Sequence, residues 1–291
     1  MILAQLVRLL RPHQYTKNLL VLAAPGAAGR FDEGSVIRLA VAAFGLFCLV
    51  SSAGYIINDL ADVEADRQHP AKRHRPIASG AVTPGLATAA LAVLSVAAVG
   101  LAPSLGWAFT LVLAGYAALS VAYSSFLKRI PWLELVAVSA GFLLRAVAGG
   151  TATDTPVSGW FLLVVSAGAL LLISGKRLGE LVALGNSSLS RPVLARYSAS
   201  SLRIWSAIAA VVAVGAYATW AAARADELGG GSNGAFFLRM TTIPFVIAIA
   251  RYLALSWQGG GEMPERVVLR DPVVLLAGTC WAAIYSLGIY A

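Results

Sequence analysis

The sequence predicts an all-helical membrane bundle, and three observations lead there. Of its 291 residues, 58% are hydrophobic and only 12% are charged, with a mean hydropathy of +0.76. Apolar runs near the length of about 20 residues that a spanning helix needs recur nine times, with short polar stretches between them. The cations are also lopsided. Of 22 Lys and Arg residues, only Arg30, Arg38, Arg224 and Arg239 fall on one side of these runs, Arg145 lies inside one, and the rest fall on the other side. Cytoplasmic loops carry the excess of Lys and Arg. The expected topology is therefore nine crossings of the inner (plasma) membrane, with the N-terminus in the cytoplasm and the C-terminus outside. Part of the net charge of +8 follows from that asymmetry, and residues 1–291 read as a single integral-membrane domain.

The first run, 15–31, is the weakest, since Pro25, Gly26 and Gly29 interrupt it. Before it stands Arg11-Pro12-His13-Gln14-Tyr15-Thr16-Lys17-Asn18. Pro12 suits a first helical turn, and Arg11, Gln14, Lys17 and Asn18 recur at three- and four-residue spacing. A basic flank with a Tyr anchor explains part of this segment, but Gln14 and Asn18 are surplus to it. The second run, 36–58, ends in Asn58-Asp59-Leu60-Ala61-Asp62-Val63-Glu64-Ala65-Asp66, followed by Lys72, Arg73 and Arg75. At about 100° per residue, Asn58, Asp62, Asp66 and Asp59 fall at roughly 0°, 40°, 80° and 100°, and Glu64 at roughly 240°. Four oxygen donors thus share one face at a membrane helix end.

A soluble helix can carry such acids as a solvated face, but acids at membrane depth are costly. Hard oxygen donors in this number suit Mg²⁺, which completes its octahedron with substrate phosphates. Asn58, Asp62 and Asp66 are the expected metal ligands, supported by Asp59.

The third and fourth runs are 83–101 and 104–126, the latter closing on Tyr123-Ser124-Ser125-Phe126-Leu127-Lys128-Arg129. Tyr123 and Lys128 read either as interfacial anchors or as a hydroxyl and an ammonium that grip a diphosphate. The fifth run, 132–153, contains Arg145, which needs a partner or an aqueous cavity. It either binds an anion or is held by a backbone carbonyl or by Glu134. The sixth run, 158–175, leads into Ser174-Gly175-Lys176-Arg177-Leu178-Gly179-Glu180, where Lys176 and Arg177 are a surface pair with Glu180 or binders of additional negative charge. Runs 203–223, 236–257 and 272–290 complete the set. Asp271 before Pro272 reads as an N-cap, Arg251 lies toward the cytoplasmic half of its run, and the Gly-rich stretch 227–234 is an external loop.

Several functions are poorly supported. Cys48 and Cys280 sit in apolar runs without metal-type spacing and are expected to pack as small apolar residues. His13, His69 and His74 form no metal pattern. Met1-Ile2-Leu3-Ala4-Gln5 does not open a cleavable signal. There is no Walker-type loop and no basic region with interleaved aromatics, so nucleic acid is not an expected partner. Small-residue helix faces leave a homo-oligomer open.

The pattern N-D-x-x-D-x-x-x-D on the second run, followed by Lys72-Arg73-His74-Arg75-Pro76-Ile77-Ala78-Ser79-Gly80, resembles the UbiA superfamily of intramembrane prenyltransferases over nearly the whole chain. That resemblance implies nine helices around a central cavity open to the cytoplasm and to lipid, with Mg²⁺ and a diphosphate at Asn58, Asp59, Asp62 and Asp66. The aromatic prenyltransferase branch carries a second Asp-x-x-x-Asp motif on its sixth helix, where this chain has Lys176-Arg177-Leu178-Gly179-Glu180. Together with Arg11 to Asn18, this is similar to the decaprenyl-phosphate phosphoribosyltransferase branch. The implied reaction joins phosphoribosyl diphosphate to polyprenyl phosphate, with diphosphate leaving and the product serving cell-wall arabinan. Asp59, Asp62, Asp66 and Lys17 are then the expected catalytic groups. Gln14, Lys17, Asn58, Lys72, Arg73, Arg75, Tyr123, Lys128, Arg145, Lys176 and Arg177 are the expected binders of substrate phosphates. The alternatives are a prenyl diphosphate donor with an aromatic acceptor, or an anionic-metabolite transporter.

Overall fold

The computed structural model describes residues 2–70, 72–184 and 196–290, and every described element is helical. Arg191, one of the cations used for topology, lies outside the described residues. The helices are α1 (Ile2–Leu10), α2 (Ala23–Ala27), α3 (Gly34–Ala61), α4 (Val63–Gln68), α5 (Pro84–Leu101), α6 (Trp107–Ser125), α7 (Leu133–Ala152), α8 (Gly159–Leu184), α9 (Ala199–Glu227), α10 (Asn233–Met240), α11 (Thr242–Trp257), α12 (Pro264–Arg270) and α13 (Pro272–Tyr290). Among the described residues, eight helical stretches are long and apolar enough to cross a membrane. The protein is a multi-pass membrane protein. Its outer faces agree: on α5, Val93, Val96 and Val99 recur every third residue and are 68%, 73% and 75% exposed, an apolar stripe suited to hydrocarbon rather than water.

The first predicted crossing is not one of the eight. Pro12–Leu22 is a 3₁₀ helix that runs into the short α2. A 3₁₀ helix rises about 2.0 Å per residue and eclipses i with i+3, and this periodicity sorts the side chains. Tyr15, Asn18 and Val21 form one row, directed at α3 and α7: the Tyr15 hydroxyl meets Ser52 Oγ at 2.9 Å, Asn18 Nδ2 donates to Ser51 Oγ at 3.1 Å, and Val21 is fully buried. Gln14 and Lys17 form a second row and hydrogen-bond to each other. His13, Thr16 and Leu19 form the exposed third. The four-residue step from Gln14 to Asn18, which an α-helix would keep on one face, is thereby split. At its two ends the segment reaches opposite ends of its neighbours. Arg11 pairs with Asp59 at the end of α3, whereas Arg30 donates to the carbonyls of Thr153 and Asp154 beyond α7.

The chain forms two compact units, residues 1–157 and 158–291. In the first, α3 packs against α5, α6, α7 and the 3₁₀ segment. Its core holds Val21, Leu46, Phe47, Val50, Phe109, Leu113 and Tyr116, with Phe47 edge-on to Phe109 at 6.3 Å. A second cluster of Leu9, Ile56, Ile77, Val82 and Ala87 docks α1 and the 72–83 loop beneath the end of α3. That docking fixes where Arg11 and Arg75 stand. Thr83 caps α5 by accepting from Leu86 N at 3.3 Å, with Pro84 at its first turn.

Gly149 decides how closely α7 approaches the 3₁₀ segment: an added Cβ would stand 1.8 Å from the Val21 carbonyl oxygen. Neither backbone can yield without moving a helix. Gly149→Ala is expected to cost about 1–3 kcal/mol through overpacking, read as a lower unfolding temperature in detergent. An unchanged unfolding temperature would show that the contact is not tight.

In the second unit, α8 pairs mainly with α9, and α11 and α13 complete the packing. Gly175 and Gly179 let the 260–262 turn lie on α8, where a Cβ on Gly179 would meet Glu262 N at 2.3 Å. Asp271 caps α13 by accepting from Val273 N and Val274 N, each at 3.1 Å, as its place before Pro272 suggests. It also accepts from Arg251 Nη2 at 2.9 Å, which ties α11 to the cap of α13. The guanidinium keeps the Asp271 carboxyl below the ordinary carboxylate range. Cys48 is buried as its run implies; Cys280 is instead exposed on α13.

Candidate active site

The acidic motif begins on α3 and passes through a break at Asp62 (φ −104°, ψ 10°) into α4. The break is shallow. Asp62 N still donates to the Asn58 carbonyl at 3.0 Å, and Asp66 N to that of Asp62 at 2.8 Å. The angular order read from a continuous helix therefore survives, and the four donors separate into their nearest-neighbour pairs. Asn58 and Asp62 meet one cation, while Asp59 and Asp66 meet another. Glu64 points away and pairs with Arg67 at 2.8 Å on the surface.

Lys128 holds the first pair. It lies on a 3₁₀ turn, Leu127–Arg129, just past α6. Its Nζ donates to Asn58 Oδ1 at 3.0 Å and to the two Asp62 carboxylate oxygens at 2.8 and 2.7 Å. These side chains are partly open, Lys128 at 18% and Asp62 at 29% exposure.

Arginines hold the second pair, which is shut away. The Asp59 and Asp66 side chains are only 2% and 3% exposed. Arg75 Nη1 bridges them, at 3.1 Å to Asp59 Oδ1 and 2.6 Å to Asp66 Oδ2, and Arg11 Nη2 adds a second cation on Asp59 Oδ1. Asp59 Oδ2 is buried with no hydrogen-bond partner. Arg11 has the left-handed backbone (φ 54°, ψ 56°), unusual for a residue with a side chain and more so before Pro12. Its guanidinium also lies 5.2 Å from the Tyr55 ring centre. The ion pair and the ring contact hold a backbone conformation that costs of order 1–3 kcal/mol. Arg11 was visible in the sequence as part of the N-terminal cluster, but its role on Asp59 was not, because the two are 48 residues apart.

The remaining sequence-derived candidates divide. Gln14 and Lys17 share the 3₁₀ row described above. Lys72 is partly buried at the 72–74 turn, where its backbone N donates to His69 Nδ1 at 3.3 Å. Arg73 is exposed and donates to His74 Nε2 at 3.3 Å. Tyr123 is partly buried near the end of α6. Lys176 and Arg177 belong to the second unit, where Arg177 is buried and paired with Glu180.

Arg145 stands apart from the acids. Its Nε donates to Asn18 Oδ1 at 2.8 Å, Nη1 to the Gly141 carbonyl at 2.8 Å, and Nη2 to the Tyr116 hydroxyl at 2.6 Å, with its charge 4.5 Å from the Tyr116 ring centre. Asn18 in turn contacts Cys48 and Ser51, two to three turns of α3 before Asn58, or about 10–15 Å at the α-helical rise. The backbone-carbonyl alternative thus has a place here, and the partners are Asn18 and Tyr116 rather than Glu134. Arg145 ties the 3₁₀ segment to α6 and α7. Arg145→Ala is expected to lower stability by about 1–3 kcal/mol for each buried group left unsatisfied, measured by thermal unfolding. An Ala variant of normal stability with a raised Michaelis constant would return Arg145 to substrate binding.

The donor chemistry suits a hard divalent ion, and the geometry limits how it is held. Among the described residues, no three carboxylate, imidazole or thiolate groups converge. Asn58 and Asp62 nevertheless already direct three oxygens at one cation, the Lys128 ammonium. A divalent ion with so few protein ligands leaves positions for phosphate and water, as Mg²⁺ does.

The UbiA prenyltransferase family profile matches residues 19–175, which include the acidic motif, Lys128 and Arg145. The chain belongs to the UbiA prenyltransferase family. The decaprenyl-phosphate phosphoribosyltransferase of Mycolicibacterium smegmatis is 40% identical over 295 residues, covering 98% of this chain and 92% of that protein. Its namesake from Mycobacterium tuberculosis is 41% identical over 289 residues, covering 97% and 93%. Among solved structures, a UbiA homologue from Archaeoglobus fulgidus bound to DMAPP and Mg²⁺ shares the fold with a TM-score of 0.69 and 16% identity, covering 97% of this chain and 96% of that one. The likeness in fold therefore extends over nearly the whole length, well past the residues that the family profile matches.

Proposed function

We propose that the protein transfers 5-phosphoribosyl from phosphoribosyl diphosphate to a polyprenyl phosphate, of decaprenyl type, releasing diphosphate. The observation that carries this reading is the near-full-length similarity to enzymes named for that reaction. The site supports it, since Arg11, Arg75 and Lys128 contact a small acidic patch and Lys72 and Arg73 lie two to three residues before Arg75 in sequence, a setting for a substrate rich in phosphate. The reaction takes place at the cytoplasmic face of the plasma membrane, and its lipid product feeds cell-wall arabinan.

Asn58 and Asp62, with Asp66 as third donor, would hold Mg²⁺. Bound there, the ion supplies Lewis-acid stabilisation of the leaving diphosphate. The chain's own groups do the rest. Lys128 and Lys17 grip the diphosphate oxygens as point charges, and Gln14 orients the Lys17 ammonium. Arg75 and Arg11 fix Asp59 and Asp66 and so hold the 72–83 loop, with Lys72 and Arg73, beside the acids. A polyprenyl phosphate is already an anionic nucleophile at neutral pH, so the reaction needs no general base. What remains is positioning and electrostatics around an oxocarbenium-like C1.

The test is diphosphate release by purified protein. Release is expected only when phosphoribosyl diphosphate, Mg²⁺ and polyprenyl phosphate are all present. Equal release without the lipid would make the protein a hydrolase and sink the proposal.

A further inference from the structure

We infer that Lys128 is an exchangeable counter-ion: it neutralises Asp62 and hydrogen-bonds Asn58 until a divalent ion arrives, then moves to the incoming diphosphate. The inference rests on the metal and diphosphate reading above and adds an order and a coupling to it.

The two halves of the acidic motif are held in different ways. Asp59 and Asp66 are almost fully buried and held by two arginines, whose planar forks set a fixed geometry. Asn58 and Asp62 are held by a single lysine, at a site where both ion-pair partners are partly exposed. Lysine carries a compact charge on a flexible four-carbon stem with three rotatable donors, and it reorganises at little cost. Its ammonium is coordinated by three oxygens at 2.7 to 3.0 Å, the hard-donor set that Mg²⁺ prefers. Cation and ammonium cannot occupy that point together. The 3₁₀ turn that carries Lys128 sits against the acids, so a displaced ammonium stays within side-chain reach of any phosphate bound to the ion.

Two effects of opposite sign follow. Without diphosphate, Lys128 competes with Mg²⁺; with diphosphate present, it binds the complex and favours it. Mg²⁺ and diphosphate must then tighten each other's binding, because coupling between two ligands is reciprocal. The exchange also keeps the acids neutralised in the resting protein, so that neither ligand is held firmly alone.

The experiment is calorimetric titration of Mg²⁺ into the full-length protein in nanodiscs of zwitterionic lipid, with and without inorganic pyrophosphate. Lys128→Met is expected to bind Mg²⁺ alone about three- to tenfold more tightly than the unaltered protein, in line with removing a competing ion pair of modest strength. Pyrophosphate should then tighten Mg²⁺ binding less in this variant than in the unaltered protein. Lys128→Arg, which keeps the charge on a less mobile fork, is expected to bind Mg²⁺ alone more weakly, and it serves if the Met variant does not fold. Unchanged or weaker Mg²⁺ binding by Lys128→Met overturns the exchange. If Asp62→Ala abolishes Mg²⁺ binding while Lys128→Met leaves it unaltered, the metal site stands and only the exchange falls. If Asp62→Ala binds Mg²⁺ as the unaltered protein does, the metal reading falls and takes the exchange with it.

Discussion

Asp62→Ala is expected to lower phosphoribosyl transfer at least about a hundredfold while leaving the fold intact. Asp62 contributes two of the three oxygens now directed at Lys128. It is also the motif's more open carboxylate, at 29% exposure against 2% and 3% for Asp59 and Asp66. Removing it leaves only Asn58 and the Arg75-bound Asp66 as donors and takes away stabilisation of the leaving group that is worth several kcal/mol. Stability should change little, because the pair it breaks is partly exposed and such pairs contribute about 0–1 kcal/mol. The check is initial rate together with unfolding temperature for the same preparation. Near-normal turnover in Mg²⁺ would remove Asp62 from the chemistry. A collapsed unfolding temperature would make its role structural.

Arg75→Met should behave in the opposite way, failing first as a folded protein. Arg75 bridges two nearly buried carboxylates, and deleting one member of a buried ion pair costs about 3–5 kcal/mol because the charge left behind has no compensation. Asp59 keeps Arg11, so the damage should centre on Asp66. A second change, Asp66→Asn, is therefore expected to recover much of the lost stability in the double variant while activity stays low. Thermal unfolding of the single and double variants measures both effects. If Arg75→Met melts with the unaltered protein, the clamp holds nothing together.

These contrasts show where the sequence was informative. A period of 3.6 residues was enough to put Asn58, Asp59, Asp62 and Asp66 on one face and Glu64 elsewhere. The expected metal ligands grouped Asp66 with Asn58 and Asp62, whereas Arg75 holds Asp66 with Asp59 and Lys128 holds Asp62 with Asn58. The long apolar helices were equally plain, because length and hydropathy are local properties. What periodicity does not contain is the partner across space. Arg11 with Asp59, Lys128 with Asp62 and Arg145 with Asn18 join positions 48, 66 and 127 residues apart. Nothing in the spacing of either member names the other.

The first predicted run differs from the other eight in its helix type, not in its reach from one end of α3 to the far end of α7. Residues 12–22 carry a three-residue rather than a four-residue periodicity, and Tyr15, Asn18 and Val21 display it once the 3₁₀ geometry is known. The same step placed Asn18 in the core, away from Gln14 and Lys17. Arg145 was singled out because a buried guanidinium is costly. Its cost is offset by the Gly141 carbonyl, the kind of partner the sequence reading allowed for, and by Asn18 and Tyr116, which nothing in the sequence named.

The most direct measurement of the central proposal asks which label enters lipid. Purified protein is incubated with Mg²⁺, polyprenyl phosphate and ribose-labelled phosphoribosyl diphosphate, and in parallel with a labelled prenyl diphosphate and an aromatic acceptor. The account predicts ribose label in a new acid-labile lipid, lost with chelator and with Asp62→Ala, and no product in the parallel reaction. Prenyl label in an aromatic product, with no ribose label in lipid, would contradict it.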